Sequence, residues 1–156
     1  MSKEYCYPYP RPAVTVDIVL IARGDSVLLI RRKADPFQGH WALPGGFVEM
    51  DETLSVAAAR ELAEETGLTG LQLKQLRAFD EPTRDPRGRT IAVAFLGETD
   101  DQPAPTAGDD AADARWHNLD LLPELAFDHD EIIACALAAA SAADQGDRTT
   151  KTSEPS

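Results

Sequence analysis

Arg60, Glu61, Glu64 and Glu65 stand close enough in the chain to do chemistry together. Thr53 to Thr66 is dense in strong helix formers, and Gly67 stands where a left-handed stop residue is wanted. Successive helix residues turn by about 100°, so with Glu61 as zero, Glu65 falls at about +40° and Glu64 at about −60°. The three carboxylates share one arc with Leu54, flanked by Ala57 and Ala58, while Val56, Ala59, Ala63 and Thr66 lie opposite. This inverts the ordinary amphipathic pattern, in which acids face water. Like charges at these spacings repel by a few tenths of a kcal/mol when solvated, and by more when partly buried. Cations would offset that repulsion, and a hard divalent ion such as Mg²⁺ takes oxygen ligands while keeping several waters. The acids taken alone are equally compatible with a solvated helix face that binds nothing.

The elements that must position these residues follow from the rest of the chain. Residues 1–12, rich in proline and tyrosine, read as an extended arm. Ala13 to Ala22 is β-branched and apolar with one odd acid, Asp17; a turn at Gly24 and Asp25 leads into a second strand, Ser26 to Arg31, making a hairpin. Leu71 to Phe79, Arg89 to Gly97 and the short Ala114 to His117 read as further strands. A final helix runs from about Asp128 to Ala143, with acids in its first turn. Residues 98–113 hold six acids and no base and read as an acidic loop, and 144–156 read as a polar disordered tail. Strands, a helix, more strands and a last helix describe an α/β fold with a mixed sheet: one domain over 13–143, between the arm 1–12 and the tail 144–156.

Composition narrows the partners. With 43% hydrophobic and 27% charged residues, a wholly disordered chain is excluded. The net charge of −12 repels phosphate backbones and anionic membranes, so neither a nucleic-acid nor a membrane partner is expected. A chain this acidic needs metal ions or a local arginine cluster to handle phosphate. The weakly polar run Ile132 to Ala143 is too short to span a bilayer, and prolines stand where a leader peptide needs an apolar stretch. Cys6 and Cys135 form neither a disulfide framework nor a metal-ligand spacing, so a cytoplasmic protein is expected.

Read as a pattern, the segment is Gly46, five residues, Glu52, seven residues, Arg60-Glu61-Leu62, one residue, Glu64-Glu65, one residue, Gly67-Leu68. It resembles the Nudix box at every defined position, and the preceding Trp41 to Gly46 (WALPGG) resembles the usual approach to that box. The resemblance implies a Nudix-type α/β/α sandwich with the box helix on one side of a mixed sheet. It implies hydrolysis of a nucleoside diphosphate linked to another moiety, with Mg²⁺ or Mn²⁺. It makes Glu61 and Glu65 metal ligands, Glu64 a ligand or the group that positions the attacking water, and the Gly45 carbonyl a further ligand. Arg60 and Glu52 become an ionic brace that orients the helix. Asp51 departs from relatives, which often carry Gly there.

Outside the box, the stretches RPAVTVDIVLI, DEPTRDPRGRTIAVAFLG, GDDAADARW and LAFDHDEII resemble bacterial and archaeal ADP-ribose pyrophosphatases. The expected reaction is therefore ADP-ribose to AMP and ribose 5-phosphate. The alternatives are a nucleoside triphosphate pyrophosphohydrolase, acting on oxidised nucleotides among others, and a non-catalytic sensor of ADP-ribose or NAD-related ligands. Regulators of the last kind usually append a DNA-binding winged helix, whereas only a short polar tail is expected after the last helix here. Arg84, Arg87 and Arg89 suit phosphate oxygens or ribose hydroxyls, or else pair with Asp80, Glu81 and Asp85 at the surface. Trp41 and Phe79 suit stacking on adenine or burial in the core. Glu98, Asp109 and Asp110 are candidates for a general base or extra ligand, or are solvated loop acids. His129 opens the last helix as a structural partner or a catalytic group. The resemblance also suggests a homodimer in which Tyr5, Tyr7 and Tyr9 of the arm cover a neighbour's site.

Overall fold

The computed structural model describes residues 3–108 and 110–149. Its centre is β1 (Ala13–Ala22), paired in parallel along its whole length with β6 (Thr90–Thr99). β5 (Lys74–Phe79) adds antiparallel to β6. On the other side, β2 (Ser26–Arg32) runs antiparallel to β1, and β7 (Ala111–Asn118) runs antiparallel to β2. The sheet is mixed, as the strand and helix order predicts.

The feature that makes room for a site is a fork. β1 and β2 pair only beside their turn, at Ile21 with Val27 and Ala22 with Ser26. Beyond that they part, and the chain following β2 fills the gap. There β3 (Trp41–Ala42) pairs with Ile30 and Arg31 of β2, while β4 (Gly45–Phe47) pairs with Thr15, Val16 and Asp17 of β1.

Alternation along β1 supplies both faces of the sheet. Val16, Ile18 and Leu20 pack with Ala57, Ala58 and Leu62 of α1 (Leu54–Thr66). Val19 and Ile21 pack on the opposite face with Ile132, Ile133 and Ala136 of α2 (His129–Thr149). The result is three layers, α/β/α. Leu62 is 2% exposed, and truncating such a side chain to alanine costs about 2–5 kcal/mol. Thr53 caps α1 by accepting the Val56 N–H, and Gly67 ends it in the left-handed conformation.

Several boundaries differ from the sequence reading. β6 runs on to Thr99, so Glu98 is a strand residue. β7 begins at Ala111 because it follows β2 as far as Arg32. α2 passes Ala143 and continues to Thr149, through a stretch with no proline to stop it. Residues 150–156 of the expected tail lie outside the described residues. Residues 3–12 of the arm have no regular structure, and Arg11 lies 3.6 Å from the Tyr7 ring centre. Among the described residues, no helix is long and apolar enough to cross a membrane.

Candidate active site

The fork opens into a cavity of about 420 Å³ reached by both helices. Glu61 and Glu65 of α1 form one wall. Glu61 is buried against β4 so closely that a Cβ on Gly46 would stand 2.4 Å from its Oε1 and would displace the carboxylate. Glu65 Oε2 accepts the Gly45 N–H at 2.9 Å. Burial pushes the Glu65 carboxyl up to about 8, against the Gly45 N–H and with added repulsion from Glu61 and Asp17. Burial raises Glu61 as well, and Arg60 opposes it. Two neighbouring, partly dried carboxylates therefore lack positive charge.

Arg60 supplies some of it and aims the helix. Its Nε and Nη2 donate to Glu52 at 2.9 and 2.6 Å, its Nη1 to Glu61 at 2.9 Å, and its Nη2 also to the Phe47 carbonyl at 3.0 Å. Arg60 and Glu52 thus form a two-pronged ion pair between α1 and the loop before it. Glu64 lies differently from its two neighbours. It is exposed, outside the cavity lining, and accepts from Arg60 Nη1 at 3.2 Å. An arc of about 100° is wider than the cleft, which takes only the Glu61 to Glu65 part of it.

The donors suit a hard dication. Among the described residues, no group of three or more His, Cys, Asp or Glu forms a ready cage for a metal. Glu61, Glu65 and the backbone at Gly45 line one cavity instead. Two carboxylates with a backbone carbonyl match an ion that keeps waters and takes substrate oxygens as its remaining ligands.

The same lining also carries arginines. Arg32, at the end of β2, donates from Nε to the neutral Pro36 carbonyl at 2.7 Å. Burial, together with the nearby charge of Arg87, lowers its pKa. Arg87 grips Asp85 through Nε and Nη2 at 3.0 and 2.8 Å and lies between two rings, 5.0 Å from Phe47 and 5.6 Å from Phe127. Asp85 is buried, yet the Arg87 contacts hold its carboxyl low. Phe127 has a φ of 52°, and it packs on Phe37 at 4.7 Å.

Behind these groups lies a buried polar floor. Arg84 donates to Asp128 from Nε and Nη2 at 2.9 and 2.6 Å and stands 3.9 Å from Asp17. His129 Nδ1 accepts the Leu43 N–H at 3.0 Å, so the neutral ring carries its proton on Nε2, 3.6 Å from Asp17 Oδ1. Burial lowers His129 and raises Asp17. His129 thus ties α2 to the segment that leads into β4.

Other candidates fall elsewhere. Phe79 is 4% exposed in the core beside α2, because its side of β5 faces that helix. Trp41 is half-buried, edge-on to His117, and lines a separate shallow depression with Pro123 and Glu124. Arg89 is exposed and donates to the Asp80 carbonyl. Glu98 is exposed near the end of β6, outside the cavity lining. Asp110 lines the cavity, and Asp109 lies outside the described residues. Sequence alone does not single out Arg32, Phe47, Phe127 or the role of Asp17. Of these only Asp17 carried a signal, as an acid within an apolar strand.

The sequence matches the NUDIX domain family over residues 11–135. It is 46% identical over 130 residues to the ADP-ribose pyrophosphatase of Methanocaldococcus jannaschii, covering 80% of this chain and 73% of the relative. It is 34% identical to the ADPR responsive transcriptional repressor NtrR of Acinetobacter baylyi, covering 83% of this chain and 55% of that longer protein. Its fold superposes on the NUDIX domain of Shewanella oneidensis NrtR, solved with ADP ribose, at a TM-score of 0.78 and 33% identity, covering 85% and 90% of the two chains.

Proposed function

This chain belongs to the Nudix family, and from that premise we propose that it hydrolyses ADP-ribose to AMP and ribose 5-phosphate with Mg²⁺ or Mn²⁺. Nudix hydrolases generally use divalent metals. The observation that carries the reading is the make-up of one cavity, whose lining holds Glu61 and Glu65 together with Arg32 and Arg87. A diphosphate bridging two ribosyl groups needs both, a cation site for its shared charge and guanidinium forks for its outer oxygens or ribose hydroxyls.

In the reaction a water oxygen attacks one phosphorus, the bond from that phosphorus to the bridging oxygen breaks, and the other phosphate leaves. A bound dication neutralises phosphoryl oxygens and makes water easier to deprotonate. Glu61, Glu65 and the Gly45 carbonyl would hold it. The Arg60 and Glu52 brace keeps Glu61 directed inward, and Glu64 joins as a further ligand or water-positioning group when it leaves Arg60. Asp110 accepts the proton lost by the attacking water. Arg32 and Arg87 orient the substrate. The same reading takes the protein as a cytoplasmic homodimer without a nucleic-acid partner, its exposed Tyr5, Tyr7 and Tyr9 set against a neighbour.

Incubation with ADP-ribose and Mg²⁺ followed by chromatography of the products tests this. AMP and ribose 5-phosphate are expected. Pyrophosphate released only from nucleoside triphosphates would favour the sanitising reading, and tight ADP-ribose binding without turnover would favour a sensor.

A further inference from the structure

The chain between β6 and β7 must bring Asp110 to the cavity, and its path is set by an unusually close contact. It crosses the C-terminal turn of α1, whose last carbonyls have no partner inside the helix. The Thr106 N–H donates to the Thr66 carbonyl at 2.8 Å, and the Gly108 N–H donates to the Glu65 carbonyl at 3.1 Å. A Cβ at position 108 would stand 1.8 Å from the Glu64 carbonyl oxygen, 2.9 Å from its carbon and 3.3 Å from the Glu65 Cα. All three are helix backbone atoms, so the helix cannot make room and the loop would have to lift. The flanks of this stretch are pinned. Pro103 accepts from Trp116 Nε1 at 2.9 Å, and Ala111 pairs with Arg32 in the sheet. Asp110 lies two residues beyond Gly108 and lines the cavity.

We propose that Gly108 is a positioning residue. Its missing side chain lets the loop seat on the last turn of α1, and that seat holds Asp110 where it takes the proton of the attacking water. The inference rests on the hydrolase reading above and adds to it the residue that couples the loop to the helix carrying Glu61 and Glu65.

The test compares Gly108→Ala, Asp110→Asn and the double variant with ADP-ribose and Mg²⁺. Gly108→Ala is expected to lower kcat about tenfold or more while KM stays within about twofold, and Asp110→Asn to lower kcat at least as much. The double variant should be no slower than Asp110→Asn, because a residue acting through Asp110 has nothing left to lose. Amide exchange gives a readout without turnover. The amides at 106 and 108 should exchange about tenfold faster or more in Gly108→Ala, with those of α1 unchanged. Wild-type kcat in Gly108→Ala, unchanged exchange, or a double variant slowed by the full product of both factors would overturn the proposal. So would Asp110→Asn with wild-type kcat, an outcome that leaves the hydrolase reading standing. A wild-type protein that leaves ADP-ribose uncleaved is the separate failure of the reading itself, and takes the proton role with it.

Discussion

Arg60 clasps Glu52 through two nitrogens, Nε at 2.9 Å and Nη2 at 2.6 Å, while its third nitrogen reaches Glu61 at 2.9 Å. The clasp has a pH signature. Hydrogen bonds from Arg60 and from the Glu49 N–H hold the Glu52 carboxyl down to about 2, against an ordinary 4.5. Between those values the unfolded chain binds more protons than the folded one, so stability rises with pH. The contribution is whole above the ordinary value and is lost as pH falls towards 2. The melting temperature of Glu52→Gln should therefore fall less steeply than that of the wild type between about pH 5 and about pH 3. Parallel curves would show that the brace adds no stability.

The two cavity carboxylates and their exposed neighbour should separate in kinetics. Glu65→Gln and Glu61→Gln keep the shape and remove a charge that a dication needs. Each should lower kcat about 100-fold or more, near 3 kcal/mol of transition-state stabilisation, with the fold intact by circular dichroism. Glu64 sits outside the lining on Arg60, so Glu64→Gln measures whether it swings inward during turnover. A loss as large as that of Glu65→Gln is expected if it does. Full activity in Glu65→Gln would remove the metal-site assignment altogether.

What the sequence could and could not disclose follows from how local each signal is. The box helix and its stop at Gly67 lie within one short segment and are read from its residue types, and the resemblance of that same segment implies the Arg60–Glu52 brace. The separation of Glu64 from Glu61 and Glu65 depends on how wide the fork between β1 and β2 opens, which is a property of strand pairing far from the helix. Arg32 could not be picked out from Arg31, because only the pairing of β2 with β3 and β7 decides which faces the cavity. Phe127 reaches the site through a left-handed backbone that its residue type does not favour. Phe79 and Trp41 are ambiguous for the opposite reason: an aromatic side chain serves a core or a base equally well, and here Phe79 lies in the core while Trp41 packs half-buried against it.

Arg32 should matter more for substrate binding than Arg89. It is half-buried in the cavity wall and hydrogen-bonds a neutral carbonyl, so an anion is its natural further partner. Arg32→Gln should raise KM for ADP-ribose about tenfold, the worth of one charge-assisted hydrogen bond. Arg87→Ala should also raise KM, because the guanidinium between Phe47 and Phe127 is lost. Arg89→Ala should leave KM unchanged, since that side chain is exposed and bonded to the Asp80 carbonyl. The three KM values measured at saturating Mg²⁺ rank the residues directly, and an unchanged value for Arg32→Gln would return it to a structural role.

Arg84 presents the sharpest choice between binding and stability. It lines the cavity, but its side chain is only 4% exposed and both its Nε and Nη2 are committed to Asp128, with Asp17 3.9 Å away. A substrate oxygen would have to compete with a buried carboxylate already held in a fork-to-fork pair. Removing the guanidinium instead leaves Asp17 and Asp128 facing each other without their shared cation. Breaking one side of such a pair costs about 3–5 kcal/mol, whereas replacing both partners costs much less. Arg84→Met should therefore be strongly destabilised in urea, and Arg84→Met with Asp128→Leu should recover part of the loss. Any rise in KM in the single variant should shrink in the double one, because the damage is to the floor beneath Leu43 and Gly45 and not to a contact with substrate. If Arg84→Met unfolds at the wild-type midpoint but binds ADP-ribose weakly, the arginine belongs to the substrate and the ion pair with Asp128 is incidental.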